Sequence, residues 1–222
     1  MINVDNYRNI QKELGEDITL VAVSKTKPAE DIQELYNLGH RDFGENYVQE
    51  MVDKASQLPV DICWHFIGHL QTNKVKYIAS FVQLIHGVDS LKLLKEINKQ
   101  AEKNNRVIDC LLQVHIAAEE TKFGLDEKEL EQLINDYKEL SLNHVRITGL
   151  MGMASFTDDM DKVKGEFRYL RDLFEKIKPL ANNHSQFTTL SMGMSSDYRI
   201  AIEEGSNMVR IGSLLFGDRE KK

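Results

Sequence analysis

The chain is predicted to fold as a single (β/α)8 barrel. Short apolar runs alternate with longer amphipathic segments along all 222 residues, a pattern that calls for parallel strands joined by crossover helices. Eight such runs can be counted, the number that closes a parallel sheet into a barrel. The residues at the C-terminal ends of these runs are also unusually polar, and barrels of this type gather their chemistry there. An open doubly wound sheet is the other architecture such alternation permits, but no G-x-G-x-x-G follows the first strand. Barrels commonly need about 250 residues, so this one would be compact.

The first strand is expected at 19–24 (TLVAVS), an unbroken run of strand formers. Pro28 then opens a helix over 29–38 (AEDIQELYNL) with its fixed φ. The second strand, 41–44 (RDFG), leads into a helix over 46–56. The third, 63–67 (CWHFI), alternates Trp64 and Phe66 as core residues and precedes a helix at 72–79. The fourth strand, 82–86 (VQLIH), is followed by a helix at 90–102 behind the capping pair Asp89-Ser90. The fifth, 108–116 (IDCLLQVHI), precedes a helix at 126–140 in which Asp126 and Glu129 stand at capping-box spacing. The sixth, 145–150 (VRITGL), precedes a charged amphipathic helix over 159–181, a solvated barrel face. The seventh, 187–191 (FTTLS), a helix at 196–204 and the eighth strand, 208–212 (MVRIG), complete the set. No Pro/Gly/Ser-rich linker divides the chain, so residues 1–222 form one domain.

Twenty-eight Lys and Arg against 35 Asp and Glu give a net charge of −7, with no basic field to hold a nucleic-acid backbone. The N-terminus lacks a signal peptide and no run is long enough to span a membrane, so a cytoplasmic location is expected. Cys63 and Cys110 lie in apolar strand-like stretches and are expected as small core residues.

Two strand ends suggest a ligand. Gly193, Ser195 and Ser196 precede one helix, and Gly212-Ser213 follow the last strand. Glycines let N–H groups approach an anion closely and hydroxyls add donors. Loops after the seventh and eighth strands are a frequent phosphate site of barrels, so the ligand is expected to be phosphorylated. Lys25 follows a wholly apolar strand and would face the centre of the mouth, with Arg210 arriving from the neighbouring strand. Partial desolvation there favours the neutral amine, the form that attacks a carbonyl to give a Schiff base. Lys27 is expected to be a solvated charge.

The stretches VAVSKTKP, GENYVQE, WHFIGHLQTNK, GLMGMA, LSMGMSSD and VRIGSLLFG, in this order, resemble the pyridoxal 5′-phosphate homeostasis protein family, which looks like the N-terminal barrel of alanine racemase standing alone. The resemblance implies pyridoxal phosphate held on Lys25 as an internal aldimine. Ser195 and the backbone of Gly212 and Ser213 would take the phosphate, and Arg210 would face the pyridine nitrogen. Asn46 and His65 would stand around the cofactor, with Met151, Met153, Met192 and Met194 as a soft wall. Ser213 departs from the threonine often found there, but a hydroxyl remains.

The resemblance implies one of two functions. One is a carrier that buffers or delivers pyridoxal phosphate in vitamin B6 homeostasis without robust turnover, through transient contact with apo-enzymes that need it. In that reading the barrel takes up the chain to Lys222, leaving no sequence for the second domain that completes a racemase site, and the protein is expected to be a monomer. The alternative is a single-domain amino-acid racemase, with Lys25 as one base and His65, His69 or a tyrosine as the other. Arg210 weighs on the choice. A guanidinium cannot accept the pyridinium proton, so the ring stays a weaker electron sink. A metal site at His65 and His69 would need their four-residue spacing to be helical, whereas Gly68 argues for a strand entering a loop.

Overall fold

The computed structural model describes residues 2–119, 123–181 and 186–217. Eight strands, β1 (Thr19–Val23), β2 (Asp42–Glu45), β3 (Cys63–Phe66), β4 (Leu84–Val88), β5 (Ile108–Val114), β6 (Val145–Gly152), β7 (Thr189–Ser191) and β8 (Met208–Ile211), pair in chain order. Every pairing is parallel. β8 returns to β1 in a register running from Thr19 against Met208 to Ala22 against Ile211, and the barrel closes. The expected fold class is the observed one.

Each strand is followed by a helix: α2 (Ala29–Asn37), α3 (Val48–Ala55), α4 (Val75–Ile78), α5 (Leu91–Lys103), α6 (Glu127–Glu139), α7 (Met160–Ile177), α8 (Tyr198–Glu203) and α9 (Ser213–Phe216). Local chemistry explains the boundaries. Ser90 Oγ caps α5 by accepting from the Leu93 N–H at 3.3 Å. Asp126 and Glu129 form a full capping box on α6. The long helix expected at 159–181 is α7 followed by a 3-10 turn over Lys178–Leu180, where Pro179 cannot continue the α-helical ladder.

Two helices lie outside the sequence expectations. The first, α1 (Val4–Leu14), precedes β1; Asn3 caps it and Tyr7, Ile10 and Leu14 form its buried stripe. It packs against the second, the one-turn α9, and the Asn3 N–H donates to the Leu215 carbonyl at 2.7 Å. The short last helix leaves barrel wall that α1 covers.

Strand alternation sorts side chains into two shells. Facing outward, Leu20, Ala22, Phe43, Trp64, Phe66 and Ile85 join the large cluster under the helices. Facing inward, Val21, Leu84, Leu111, Met151 and Met208 form a separate apolar cluster. The deep interior of the barrel also holds His65, His86, Ser191 and Arg210, each 4% exposed or less. Both cysteines are free thiols, and Cys110 is fully buried. Among the described residues no helix is long and apolar enough to cross a membrane.

Candidate functional site

At the C-terminal ends of the strands lies a cavity of about 540 Å³, within the usual range for small-molecule sites. Lys25 lines it, two residues beyond the inward-facing Val23. The other walls come from Asn46 after β2, Ile67 after β3, Met153 after β6, and Met194 and Ser195 after β7. Arg210, Gly212 and Ser213 complete it from β8 and the turn that follows.

The turn carrying Ser195 is fixed by its neighbours. Gly193 has φ +97°, and an added Cβ would stand 2.6 Å from the Ala201 Cβ, so the backbone here needs glycine. The Met194 N–H donates to Asp197 Oδ1 at 2.6 Å, closing the loop onto the start of α8. Ser195 Oγ then accepts from the Gly212 N–H at 3.2 Å, so the two anion-suited loops meet.

Asn46 Oδ1 is buried without a hydrogen-bond partner, an arrangement that fits a ligand donor in the cavity. Its loop packs closely on that of β3: a Cβ on Gly68 would lie 2.4 Å from the Asn46 carbonyl oxygen. Arg210 donates to Ser191 Oγ at 2.6 Å and to the Gly152 carbonyl at 3.0 Å. Burial pulls its guanidinium down to about 10, which still leaves it charged at neutral pH. Behind Lys25, the fully buried Glu45 accepts from Ser24 Oγ at 2.6 Å and from Lys54 Nζ at 2.8 Å. Burial raises its carboxyl above the ordinary range, and the Lys54 ammonium opposes that rise.

The structure brings Lys25, Asn46, Ser195, Arg210, Gly212 and Ser213 to one cavity and places three other candidates elsewhere. His65 has inward parity but sits deeper, hydrogen-bonded to His86 and Asp42, on the wall of a second cavity at the opposite end of the barrel. Met151 belongs to the inner apolar cluster; Met192, one residue past the inward Ser191, points into the outer shell. Met153 and Met194 are the two methionines that reach the mouth. Lys27 is no freely solvated charge: its Nζ donates to the Phe216 carbonyl at 2.7 Å and it lines the mouth. His69 pairs with Asp89 at 3.4 Å and stacks on Phe123, so it shares no space with His65. Phe156, 91% exposed on the rim, lies outside the sequence expectations, and its only signal in the sequence is that of an apolar residue in a polar loop.

The model of the alanine racemase N-terminal domain family matches residues 4–220. A pyridoxal phosphate homeostasis protein of Aquifex aeolicus is 46% identical over 202 residues, covering 90% of this chain and 87% of the relative. The chain belongs to the pyridoxal phosphate homeostasis protein family. The structure of PipY from Synechococcus elongatus with PLP bound superposes with a TM-score of 0.87 at 33% identity, covering 96% of this chain and 99% of PipY. Alanine racemase from Bartonella henselae, at 18% identity and a TM-score of 0.73, covers 95% of this chain and 57% of its own, and shares the fold. Within this homeostasis family chain, VAVSKTKP runs from β1 to the start of α2, GENYVQE from β2 into α3, LSMGMSSD from β7 to α8, and VRIGSLLFG from β8 through α9. Each of these four motifs thus runs from a strand to the N-cap of the next helix or beyond it, across the strand end where the mouth is built.

Proposed function

We propose that this protein binds pyridoxal 5′-phosphate in the mouth cavity as a Schiff base with Lys25, and holds and releases it in vitamin B6 homeostasis without robust turnover. The observation that carries this reading is the convergence of Lys25, the unpartnered Asn46 Oδ1, the Ser195–Gly212–Ser213 corner and the buried Arg210 on one cavity. The names of its relatives and the PLP-bound PipY structure support the ligand.

When bound, the cofactor supplies an electrophilic carbonyl and an electron-accepting ring. The chain's residues hold and orient it. Ser195, with the backbone around Gly212 and Ser213, suits a phosphate. Arg210 suits the pyridine nitrogen and, being a cation without an acceptor, leaves that nitrogen unprotonated. Proton abstraction from an amino acid is thereby weakly supported. A racemase also needs a second base in the mouth, and His65 faces the other end of the barrel. Release to apo-enzymes would run through transient contacts at the open mouth.

Borohydride reduction of cofactor-loaded protein, followed by peptide mass spectrometry, tests the reading. A pyridoxyl adduct on Lys25 alone is expected. Reduction at no site, or only at scattered surface lysines, would overturn it, and sustained turnover of L- and D-amino acids would replace the carrier with the racemase.

A further inference from the structure

The buried polar residues of the barrel interior form a continuous series. Arg210 Nη1 lies 2.6 Å from Ser191 Oγ, Ser191 Oγ 3.3 Å from His86 Nδ1, His86 Nε2 3.0 Å from His65 Nδ1, and His65 Nε2 2.9 Å from Asp42 Oδ1. The series starts at the mouth cavity and ends at the first residue of β2, on the wall of a cavity of about 450 Å³ at the N-terminal strand ends.

Its direction follows from the two ends. A guanidinium only donates, so Ser191 Oγ accepts from Arg210. Among the described residues His86 Nδ1 is the other partner of that hydroxyl, so its hydrogen goes to Nδ1, which must be an acceptor. His86 is fully buried between two potential cations, Arg210 and His65, and burial holds its imidazole well below the usual value, hence neutral. Its single ring proton therefore sits on Nε2 and is donated to His65 Nδ1. That leaves the His65 proton on Nε2, pointing at the carboxylate of Asp42. All four bonds run one way, from cation to anion, and in a low dielectric each polarises the next.

We propose that Ser191, His86, His65 and Asp42 are positioning residues that hold the Arg210 guanidinium through this one-way chain, so that the N-terminal end of the barrel sets how Arg210 meets a ligand in the mouth. Barrel interiors are ordinarily filled by layers of branched aliphatic side chains. Here four polar groups replace part of those layers, and each is satisfied by its neighbours, as buried polar groups must be. Without the chain, the guanidinium would keep its bond to the Gly152 carbonyl and lose the one that fixes its other arm. The ligand half of the inference rests on the proposed pyridoxal phosphate site; the orientation of the chain does not.

Long-range proton–nitrogen NMR on the unliganded protein reads the chain directly. His65 and His86 are both expected as neutral Nε2–H tautomers; an Nδ1–H tautomer or a charged ring at His86 would overturn the proposal. Asp42, with a side chain 35% exposed, can be changed with little risk to the core. Asp42→Asn keeps an acceptor for His65 and should resemble the parent. Asp42→Ala should alter the Arg210 Nη signals, shift the absorption of bound pyridoxal phosphate and weaken its retention roughly 2- to 30-fold, the range of coupling through such networks. Unchanged Arg210 signals and absorption in Asp42→Ala would refute the positioning role. Parent protein that takes up no pyridoxal phosphate would refute the binding reading instead, while the tautomers and the Arg210 signals still decide the chain.

Discussion

Lys54 Nζ donates a 2.8 Å hydrogen bond to the carbonyl of Ser24, the residue immediately before Lys25. The same ammonium reaches Glu45 Oε1 at 2.8 Å and Glu50 Oε1 at 2.7 Å, and Glu50 Oε1 accepts from the Thr26 N–H at 2.6 Å. The backbone on both sides of Lys25 is therefore tied to one buried ion cluster. Thr26 has φ +64°, a left-handed conformation that costs a non-glycine residue on the order of 1 kcal/mol. The bond to Glu50 offsets that cost and gives the turn its single shape.

Lys54→Met should therefore destabilise the fold strongly. Removing one partner of a buried ion pair costs about 3–5 kcal/mol, because the other charge is left unpaired. Glu45 would be that charge, with Oε2 already lacking a partner. Its carboxyl, raised by burial in the parent, would rise further. A raised folded-state pKa gives stability that is complete at acid pH and lost as pH climbs through it. The variant's deficit should thus be largest at neutral pH and shrink as pH falls toward the ordinary carboxylate range, about 4.5, where Glu45 is protonated in both proteins. Urea unfolding at several pH values reads both effects, and a deficit independent of pH would contradict the assignment.

Replacing Ser195 and Ser213 together by alanine should weaken cofactor retention without unfolding the barrel. Each hydroxyl contributes on the order of 1 kcal/mol, and more toward a dianion, so a loss of about tenfold or greater is expected. Ser195 Oγ also accepts from the Gly212 N–H, so the variant frees a backbone donor that partly compensates. Fluorescence titration with pyridoxal phosphate is the measurement. Unaltered affinity would place the phosphate elsewhere.

The strands were legible because their apolar content is local: β1, β5 and β8 each stand out as runs of strand formers between helical segments. The helix α1 escapes a strand-by-strand reading since no strand precedes it, although its Asn3 cap and the spacing of Tyr7, Ile10 and Leu14 are plain in the sequence. That Lys25, Asn46, Ser195, Arg210, Gly212 and Ser213 line one cavity was legible from the strand ends on which their motifs lie. Shell and depth were not. Met192 faces outward because Ser191 faces inward, and His65 faces inward but two positions below Ile67, which reaches the mouth. Lys54 sits on an amphipathic helix where a lysine is ordinarily solvated; only the packing of α3 on β2 brings it to Ser24.

Two glycine substitutions should move stability in opposite directions. Gly149 pairs with Thr189 between β6 and β7, and a Cβ there would stand 1.7 Å from the Thr189 carbonyl oxygen. Backbone cannot yield as a side-chain tip can, so Gly149→Ala should cost about 3 kcal/mol or more. Gly165, exposed on α7, has open space around its Cβ position. Gly165→Ala should stabilise by about 0.5–1 kcal/mol through the lower backbone entropy of the unfolded chain. Thermal unfolding of the two variants is enough to check the signs.

Arg210→Met should separate stability from ligand binding. Holding the guanidinium down at about 10, against an ordinary value above 12, costs the folded protein roughly 3 kcal/mol. The sign is that of a base whose folded-state pKa is depressed: the cost is present at all pH values below about 10 and vanishes as pH rises toward the unfolded value. Methionine removes it and fills similar space. The substitution also strips a donor from Ser191 Oγ and from the Gly152 carbonyl, at about 1–3 kcal/mol for each group left unsatisfied. The two contributions oppose each other, so unfolding of the ligand-free variant should lie between about 1 kcal/mol above and about 3 kcal/mol below the parent. Retention of pyridoxal phosphate should fall by about tenfold or more, since one charge-assisted hydrogen bond is worth that much. A variant that binds as the parent does would show that Arg210 serves the barrel interior alone.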